Sequence, residues 1–391
     1  MDKPRVLTVN GGSSSIKFAL FEGGGEVRRV LEGRIERIGL PGARLVFPPS
    51  ELQEIDAPNH RAAAGLLLDR LGERLDFSTL KAIGHRIVHG MDYARPEFIT
   101  RELLAGLRRI VPFDPEHMPS ELELVEELGR RLPGILQLAC FDTSFHRAMP
   151  KAAKLLPIPR RYYDMGVKRY GFHGLSCSFI MEELARQGEE TANGRVIIAH
   201  LGNGASLTAV SGGKSIDTSM GFTPAGGIPM GTRPGDLDPG VAWFIMAEGK
   251  MTPKRFNALV NHEAGLLGVS ETSPDMADLL VSQTGDERAA EAVELFCYQA
   301  KKCVGALAAA LGGVDILVFT GGIGTHAPEI RSRVCAGLGF LGIELDETKN
   351  AAGETVISAK DSRAKVRVMK TDEERVIAEA LFGRLSGEEQ R

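Results

Sequence analysis

One pattern of hydrophobic and polar residues occurs twice along the chain. Residues 6–20 (VLTVNGGSSSIKFAL) and 196–210 (VIIAHLGNGASLTAV) each place Gly, Asn and small residues between two apolar runs. This pattern predicts a β-hairpin in each segment. A loop of Gly and Ser offers backbone N–H groups at the close range that phosphate binding requires. Two unrelated hairpins would explain either segment alone. The pair, with Lys17 and His200 beside the loops, favours two related halves that share a nucleotide cleft.

Outside these hairpins, strand-like runs alternate with segments of helical periodicity. This alternation predicts an α/β protein. Residues 219–240 are rich in Gly and Pro and lack periodicity, so we expect a long functional loop there. Strands or strand-like runs are predicted within 26–60, at 82–90, from 136 and from 315, and helices at 61–76, within 100–130 around a turn at 112–119, from about Ser176, within 241–312, after the glycine turn at 320–324 and at 372–385.

The length of 391 residues exceeds what one hydrophobic core normally supports, so two domains are expected. We place the boundary near 147–155. The expected organisation is an N-terminal domain over 1–150, a C-terminal nucleotide-binding domain over 151–371, and a last helix in 372–391 that packs back on the N-terminal domain.

Composition and charge exclude several classes of protein. The net charge of −4 gives no reason to expect nucleic acid or an anionic membrane as a partner. The apolar stretch at 303–319 contains two Gly and one Asp, which favours a buried helix and strand over a membrane span. The five cysteines are irregularly spaced and the N-terminus enters a strand directly. We therefore expect reduced thiols, no signal peptide and a cytoplasmic location.

Four polar residues in these segments could serve phosphoryl transfer, which requires cationic groups and rigid positioning around the phosphate. Arg86 lies in an apolar strand, where a bound anion or a structural ion pair would equally explain it. Asp142 lies at the end of another apolar run, a position that suits either a catalytic group or a helix N-cap. His173 lies between glycines in a loop, where it could contact a phosphoryl oxygen or a backbone carbonyl. Arg233 lies between glycine and proline turns that would fix its direction, and the alternative is an ordinary surface arginine on a loop.

A further glycine-rich segment, TGGIG at 320–324, follows a predicted strand. It lacks the G-x-G-x-x-G spacing of a dinucleotide-binding turn. The segment is therefore compatible with a nucleotide contact or with a tight turn.

Taken together, these segments resemble the acetate kinase family, within the sugar kinase, Hsp70 and actin superfamily. The resemblance runs from Val6 to about Ala378. It implies two related actin-like (ribonuclease H-like) domains with a nucleotide cleft between them, and a homodimer. The matching blocks are VNGGSSSIKF, GHRIVHG, FDTSFHRAMP, RYGFHG, HLGNGAS, DTSMGFTP, MGTRPGDLDP, FTGGIG and TDEE.

The resemblance also implies residue roles. The implied catalytic residues are Arg86, Asp142, His173, Arg233 and His117, and the implied acyl pocket consists of Arg86, Val88, Phe172 and Pro224. Asn10 and Glu373 are implied to hold Mg²⁺. The implied nucleotide-binding residues are Asn10, Ser15, Lys17, His200, Leu201, Gly202, Asn203, Gly204, Asp275, Gly321, Gly322, Ile323 and Gly324.

The implied reaction transfers the γ-phosphoryl group of ATP to acetate, reversibly and in line, giving acetyl phosphate and ADP. Several positions depart from the family pattern. EHMP around His117 replaces LHNP, Ala225 and Gly226 replace a larger residue and an acid, and Thr325 and His326 replace Glu and Asn. Ala277 replaces an arginine expected beside the adenine.

Other functions remain compatible with the sequence. Propionate or a slightly larger acid could be the substrate, or the phosphoryl donor could differ. From another class, the chain could be an actin-like ATP-binding module without transferase activity. Such a module has no need of Arg86, Asp142, His173 and Arg233 together. A nicotinamide-dependent dehydrogenase is disfavoured, because no G-x-G-x-x-G follows the first strand.

Overall fold

The computed structural model describes residues 3–48, 51–188 and 193–387. The chain divides into two compact units. Unit 1 runs to Ser144 and resumes at Asp372, and unit 2 comprises Phe145–Thr371. This division falls a few residues before the expected boundary at 147–155. Residues 388–391 of the expected C-terminal segment lie outside the described residues.

Unit 1 contains one mixed sheet of eight strands, in the order β5-β4-β3-β2-β1-β6-β8-β7. The predicted first hairpin is confirmed, with β1 and β2 antiparallel. The strands β1, β6 and β8 are parallel neighbours. The elements are β1 (Arg5–Gly11), β2 (Ser15–Glu22), β3 (Arg28–Glu36), β4 (Arg44–Phe47), β5 (Glu51–Glu54), α1 (His60–Gly72), β6 (Leu80–Ile87), β7 (Glu97–Phe98), α2 (Arg101–Arg109), α3 (Met118–Arg131) and β8 (Leu136–Phe141).

Unit 2 contains a five-stranded sheet in the order β11-β10-β9-β12-β13. The second predicted hairpin is confirmed, with β9 and β10 antiparallel. The elements are α4 (Lys151–Lys154), α5 (Arg160–Asp164), α6 (Gly174–Arg186), β9 (Arg195–Leu201), β10 (Ala205–Ser211), β11 (Lys214–Thr218), α7 (Pro239–Glu248), α8 (Pro253–His262), α9 (Gly265–Ser270), α10 (Met276–Ser282), α11 (Glu287–Leu311), β12 (Ile316–Thr320), α12 (Gly321–His326), α13 (Pro328–Cys335), α14 (Glu347–Ala352) and β13 (Lys365–Val368), and the chain then returns to unit 1 as α15 (Glu373–Ser386).

The two sheets share one topology. The order β3-β2-β1-β6-β8 in unit 1 corresponds to β11-β10-β9-β12-β13 in unit 2. In both, an antiparallel three-stranded meander is followed by two parallel strands. This duplication confirms the predicted α/β class with two related halves.

Each sheet is covered by helices that bury apolar residues. In unit 1, α1 and α3 contribute Leu67, Leu71 and Leu128 to the core of one sheet face. The helix α15 contacts β1 and β6. Its approach requires a glycine, because a Cβ on Gly84 would clash with Ile377 and would lie 2.8 Å from Leu381 Cδ1. In unit 2, α6 buries its apolar face against β9 and β12.

The glycine turn after β12 is shorter than the sequence predicted. Gly321 has a φ of +77°, and α12 begins at this residue. The expected turn over 320–324 is therefore wrong for all but its first residues. The helix after α12 is α13, which begins at Pro328. The first turn of a helix tolerates proline. No helix in the described ranges is long and apolar enough to cross a membrane.

Candidate active site

Two contacts hold the loop between β1 and β2, one within its own backbone and one from the side chain of His60. The Gly12 N–H donates to the Ser15 carbonyl over 2.7 Å. From α1, His60 Nε2 lies 2.7 Å from the Gly12 carbonyl oxygen. Asn10, at the end of β1, is paired in register with the exposed Lys17 on β2. The implied phosphate-binding residues Asn10, Ser15 and Lys17 therefore flank one fixed loop.

Arg86 and Asp142 form a buried ion pair at the carboxyl ends of β6 and β8. Because these strands are parallel neighbours, their ends lie at the same edge of the sheet. Arg86 Nη2 and Nε lie 2.6 and 3.0 Å from Asp142 Oδ2. Two further carboxylates approach the guanidinium, Glu121 at 3.8 Å and Glu373 at 4.0 Å. Asp142 is thus the partner of an arginine and not a helix N-cap.

The electrostatics of this cluster follow from burial and mutual charge. Burial alone would lower the pKa of Arg86, but the carboxylates of Asp142, Glu373 and Glu121 raise it. Burial raises the pKa of Glu373 to about 7, although the positive charge of Arg86 opposes this shift. Arg86 thus stays charged beside Glu121 and Glu373, which burial makes easier to protonate.

Asn10 and Glu373 are brought together from opposite ends of unit 1. The Asn10 amide donates to Glu373 Oε2 over 3.0 Å, and Glu373 is the first residue of α15. The neighbouring Glu374 Oε1 lies 3.5 Å from the same amide nitrogen. A carboxylate and an amide carbonyl are hard oxygen donors of the kind that Mg²⁺ prefers, with water and phosphate completing its coordination.

Val88 and His117 are each held by a buried carboxylate of unit 1. The buried Val88 donates its backbone N–H to Glu121 Oε2 over 2.9 Å. His117, at the N-cap of α3, lies with its Nδ1 3.0 Å from Asp114 Oδ1. Within the described contacts, His117 is bound by the variant loop that surrounds it and not by Arg86.

In unit 2, His173 has the left-handed conformation that positions its ring. Its φ is +57°, and its Nδ1 lies 2.9 Å from Ser206 Oγ. The ring stacks on His200 at a centroid distance of 4.2 Å, and His200 Nδ1 lies 2.8 Å from Ser176 Oγ. The side chains of Ser206 and Ser176 therefore fix two neighbouring imidazoles.

Gly204 leaves the space in which Arg233 and His173 approach the β9–β10 loop. A Cβ on Gly204 would lie 2.7 Å from Arg233 Nη2 and 3.4 Å from His173 Nε2. Arg233 Nη1 donates to the carbonyl of the buried Pro224 over 2.7 Å. The long loop at 219–240 thus carries Arg233 to the glycine loop, and Arg233 is not a simple surface residue.

The two glycine segments of unit 2 are adjacent. A Cβ on Gly321 would lie 2.5 Å from the Leu201 carbonyl oxygen, and one on Gly202 would lie 3.8 Å from the Gly322 nitrogen. The backbone of Asn203 accepts a hydrogen bond from Gly231 over 3.1 Å. The residues 201–204 and 321–324 therefore form one backbone-rich surface.

Phe172, Asp275 and Ala277 are the remaining residues of unit 2 that the sequence analysis singled out. Phe172 is buried, and its carbonyl oxygen lies 2.9 Å from His146 Nε2. Asp275 is the N-cap of α10 and accepts from the Ala277 N–H over 2.8 Å. Ala277 itself is exposed.

Sequence reasoning missed several residues of this site. His60 and Ser206 carry no recognisable signal, because their partners Gly12 and His173 are distant in sequence. Asp114 contacts His117, three residues along the chain, but nothing in the sequence distinguishes it from an ordinary turn residue. Glu121 does carry one. It lies on the apolar face of α3, in helical register with Met118, Val125 and Leu128, which are all buried. A carboxylate on such a face requires a local partner.

The fold and the site define a class: two-domain α/β proteins with duplicated sheets and a glycine-rich hairpin loop in each. The profile of the Acetokinase family matches residues 5–379. An acetate kinase of Nitrobacter hamburgensis is 41% identical over 389 residues, covering 96% of this chain and 94% of that protein. A propionate kinase of Citrobacter rodentium is 41% identical over 388 residues, covering 96% and 95%. The crystal structure of Porphyromonas gingivalis acetate kinase matches with a TM-score of 0.87 and 38% identity, covering 98% of this chain and 100% of that one.

The chain belongs to the acetokinase family.

Proposed function

We propose that this protein transfers the γ-phosphoryl group of ATP to acetate, reversibly and directly in line, giving acetyl phosphate and ADP. Family membership supports the reaction. The observation that carries the proposal is the fixed set of acyl-side residues. Arg86 is bound to Asp142, and Arg233 lies beside His173 at a glycine loop. A protein that only binds ATP does not require these side chains.

Each residue has a role in this proposal. Arg86 and Arg233 neutralise the carboxylate and the phosphoryl group as charge moves between them. Asp142 holds the Arg86 guanidinium, and His173 donates a hydrogen bond to the phosphoryl group. Since Nδ1 of His173 faces Ser206, its Nε2 is the atom for that bond. The residues proposed to contact the acyl group are Val88 in unit 1 and Phe172 and Pro224 in unit 2. His117, which is held by Asp114, is proposed as a further catalytic residue.

In unit 2, the proposed nucleotide-binding residues are the two glycine segments, His200 and Asp275. In unit 1, they are Ser15 and Lys17. A divalent cation accompanies ATP, and we propose Mg²⁺ held by Asn10 and Glu373. When bound, it neutralises charge on the phosphate oxygens. Among the described residues no cluster of three or more His, Cys, Asp or Glu side chains could hold a metal by itself.

The proposed assembly is a homodimer. The helix α7 supports it, because none of its residues is buried although Val241, Trp243 and Phe244 are large and apolar. Trp243 is 72% exposed and Phe244 65% exposed. A second copy of the chain is the proposed cover of this surface. We also propose a cytoplasmic location, supported by the five cysteines, which are all free thiols.

The test is acyl hydroxamate formation from ATP, hydroxylamine and a series of carboxylates from two to four carbons. We expect acetate to give the highest kcat/KM. Propionate is the second candidate, because a relative of equal identity is named a propionate kinase. Arg233→Ala should reduce turnover by about 10³-fold or more. A folded wild-type protein that binds ATP but phosphorylates none of these acids would favour the non-catalytic module.

A further inference from the structure

One buried carboxyl group in unit 1 has no role in the reaction as described so far. Glu121 lies on α3, and its side chain is 1% exposed. Its Oε2 accepts the Val88 backbone N–H over 2.9 Å, and its Oε1 lies 3.8 Å from Arg86 Nη1. It therefore touches a residue of the proposed acyl pocket and faces the proposed acyl-binding arginine.

We propose that Glu121 is a positioning residue for the acyl substrate, which anchors the Val88 peptide and sets the charge around Arg86. This proposal rests on the proposed function, because it assigns Glu121 a part in binding the carboxylate. Glu121 acts through Val88 and Arg86 and does not itself touch the reacting atoms.

The anchoring part follows from hydrogen bonding. The peptide that links β6 to the following loop begins at Val88, and its N–H is buried. Without an acceptor, a buried N–H is costly, and the peptide would move to find one. The Val88 side chain would move with it, which would change the shape of the acyl pocket.

The charge part follows from the groups that face Glu121. These are Arg86 on β6, Asp142 after β8 and Asp114 in the loop before α3, and Glu373 of α15 faces the same guanidinium. Asp142 already balances the Arg86 charge. An ionised Glu121 beside the guanidinium would weaken its attraction for the carboxylate of acetate.

Burial gives Glu121 a proton under neutral conditions. Its Oε1 is buried and has no hydrogen-bond partner within the described ranges. Burial raises the pKa of Glu121 to about 8, although Arg86 and the Val88 N–H oppose the shift. Glu121 is therefore mostly neutral at pH 7 and becomes an anion above pH 8, where it competes with the substrate for Arg86.

The experiment measures KM for acetate and KM for ATP from pH 6.5 to 9.5. Glu121→Gln keeps an acceptor for Val88 but cannot ionise. The matched control is Glu123→Gln, which removes an exposed charge from the same helix. For the wild type and the control we expect KM for acetate to rise about fivefold to tenfold across pH 8, while KM for ATP changes little. For Glu121→Gln, the rise in KM for acetate across pH 8 should be absent.

A second variant, Glu121→Leu, removes the acceptor as well as the charge. It should raise KM for acetate about tenfold or more at pH 7, with KM for ATP within twofold of the wild type. If Glu121→Leu does not fold, the comparison of the wild type with Glu121→Gln still decides. Parallel pH profiles of KM for acetate in those two proteins would overturn the proposal. A wild type that phosphorylates no carboxylate would instead refute the proposed function.

Discussion

Arg86→Ala, with and without Asp142→Asn, separates the catalytic role of the arginine from its structural role. In the native protein, two nitrogens of Arg86 bind one oxygen of the fully buried Asp142. Removing the guanidinium leaves that carboxylate buried without its cation. Breaking a buried ion pair from one side typically costs about 3–5 kcal/mol. We expect Arg86→Ala to lose stability in this range.

The double variant should recover much of that stability. Asn at position 142 is neutral and similar in shape, so no uncompensated charge remains at the end of β8. Removing both members of a buried pair is generally far less destabilising than removing one. Catalysis should not recover, because the Arg86 cation proposed to meet the carboxylate in the transition state is still missing. Both variants should therefore lose about 10³-fold or more in kcat/KM for acetate.

Urea unfolding followed by circular dichroism gives the stability, and hydroxamate formation gives the activity. The two readouts should separate in the double variant, with stability partly restored and activity absent. Activity that returned together with stability would show that Arg86 serves only the fold. Retention of activity within tenfold of the wild type in Arg86→Ala would refute the assignment of Arg86 to the acyl substrate.

Three further changes test other parts of the protein. Glu373→Gln should raise the Mg²⁺ concentration required for half-maximal activity about tenfold or more, because it removes a charged oxygen ligand; an unchanged Mg²⁺ titration would contradict the metal assignment. Ala277→Arg should sharpen the preference for ATP over GTP several-fold, since a cation beside the base is worth about 0.5–2 kcal/mol; strict ATP selectivity in the wild type, unchanged in the variant, would favour a substitute such as His326. Gly84→Ala should lower the free energy of unfolding by about 1–3 kcal/mol, because its Cβ would enter the space of Ile377 and Leu381; unchanged denaturant unfolding would rule out this close packing of α15 on β6.

The sequence determined much of the fold because local patterns encode it. Two apolar runs on either side of a glycine-rich turn predicted both hairpins, and the helical spacing of residues 61–76 predicted α1. The turn after β12 was predicted too long, because single glycines do not distinguish a turn from the first residues of a helix. Only the tertiary structure revealed that Gly321 is the one residue of 320–324 with a positive φ and that α12 begins at this residue.

For the candidate site, the sequence identified residue types and the tertiary structure decided their partners. An arginine in an apolar strand requires an anion, and the sequence left open whether Arg86 binds a substrate or an acid. The parallel pairing of β6 with β8 decided for Asp142, which lies 56 residues away. Glu373 reaches Asn10 across 363 residues because α15 packs against β1. Local patterns depend on the chain's own geometry, whereas hydrogen bonds and ion pairs between distant residues depend on how the sheet orders its strands.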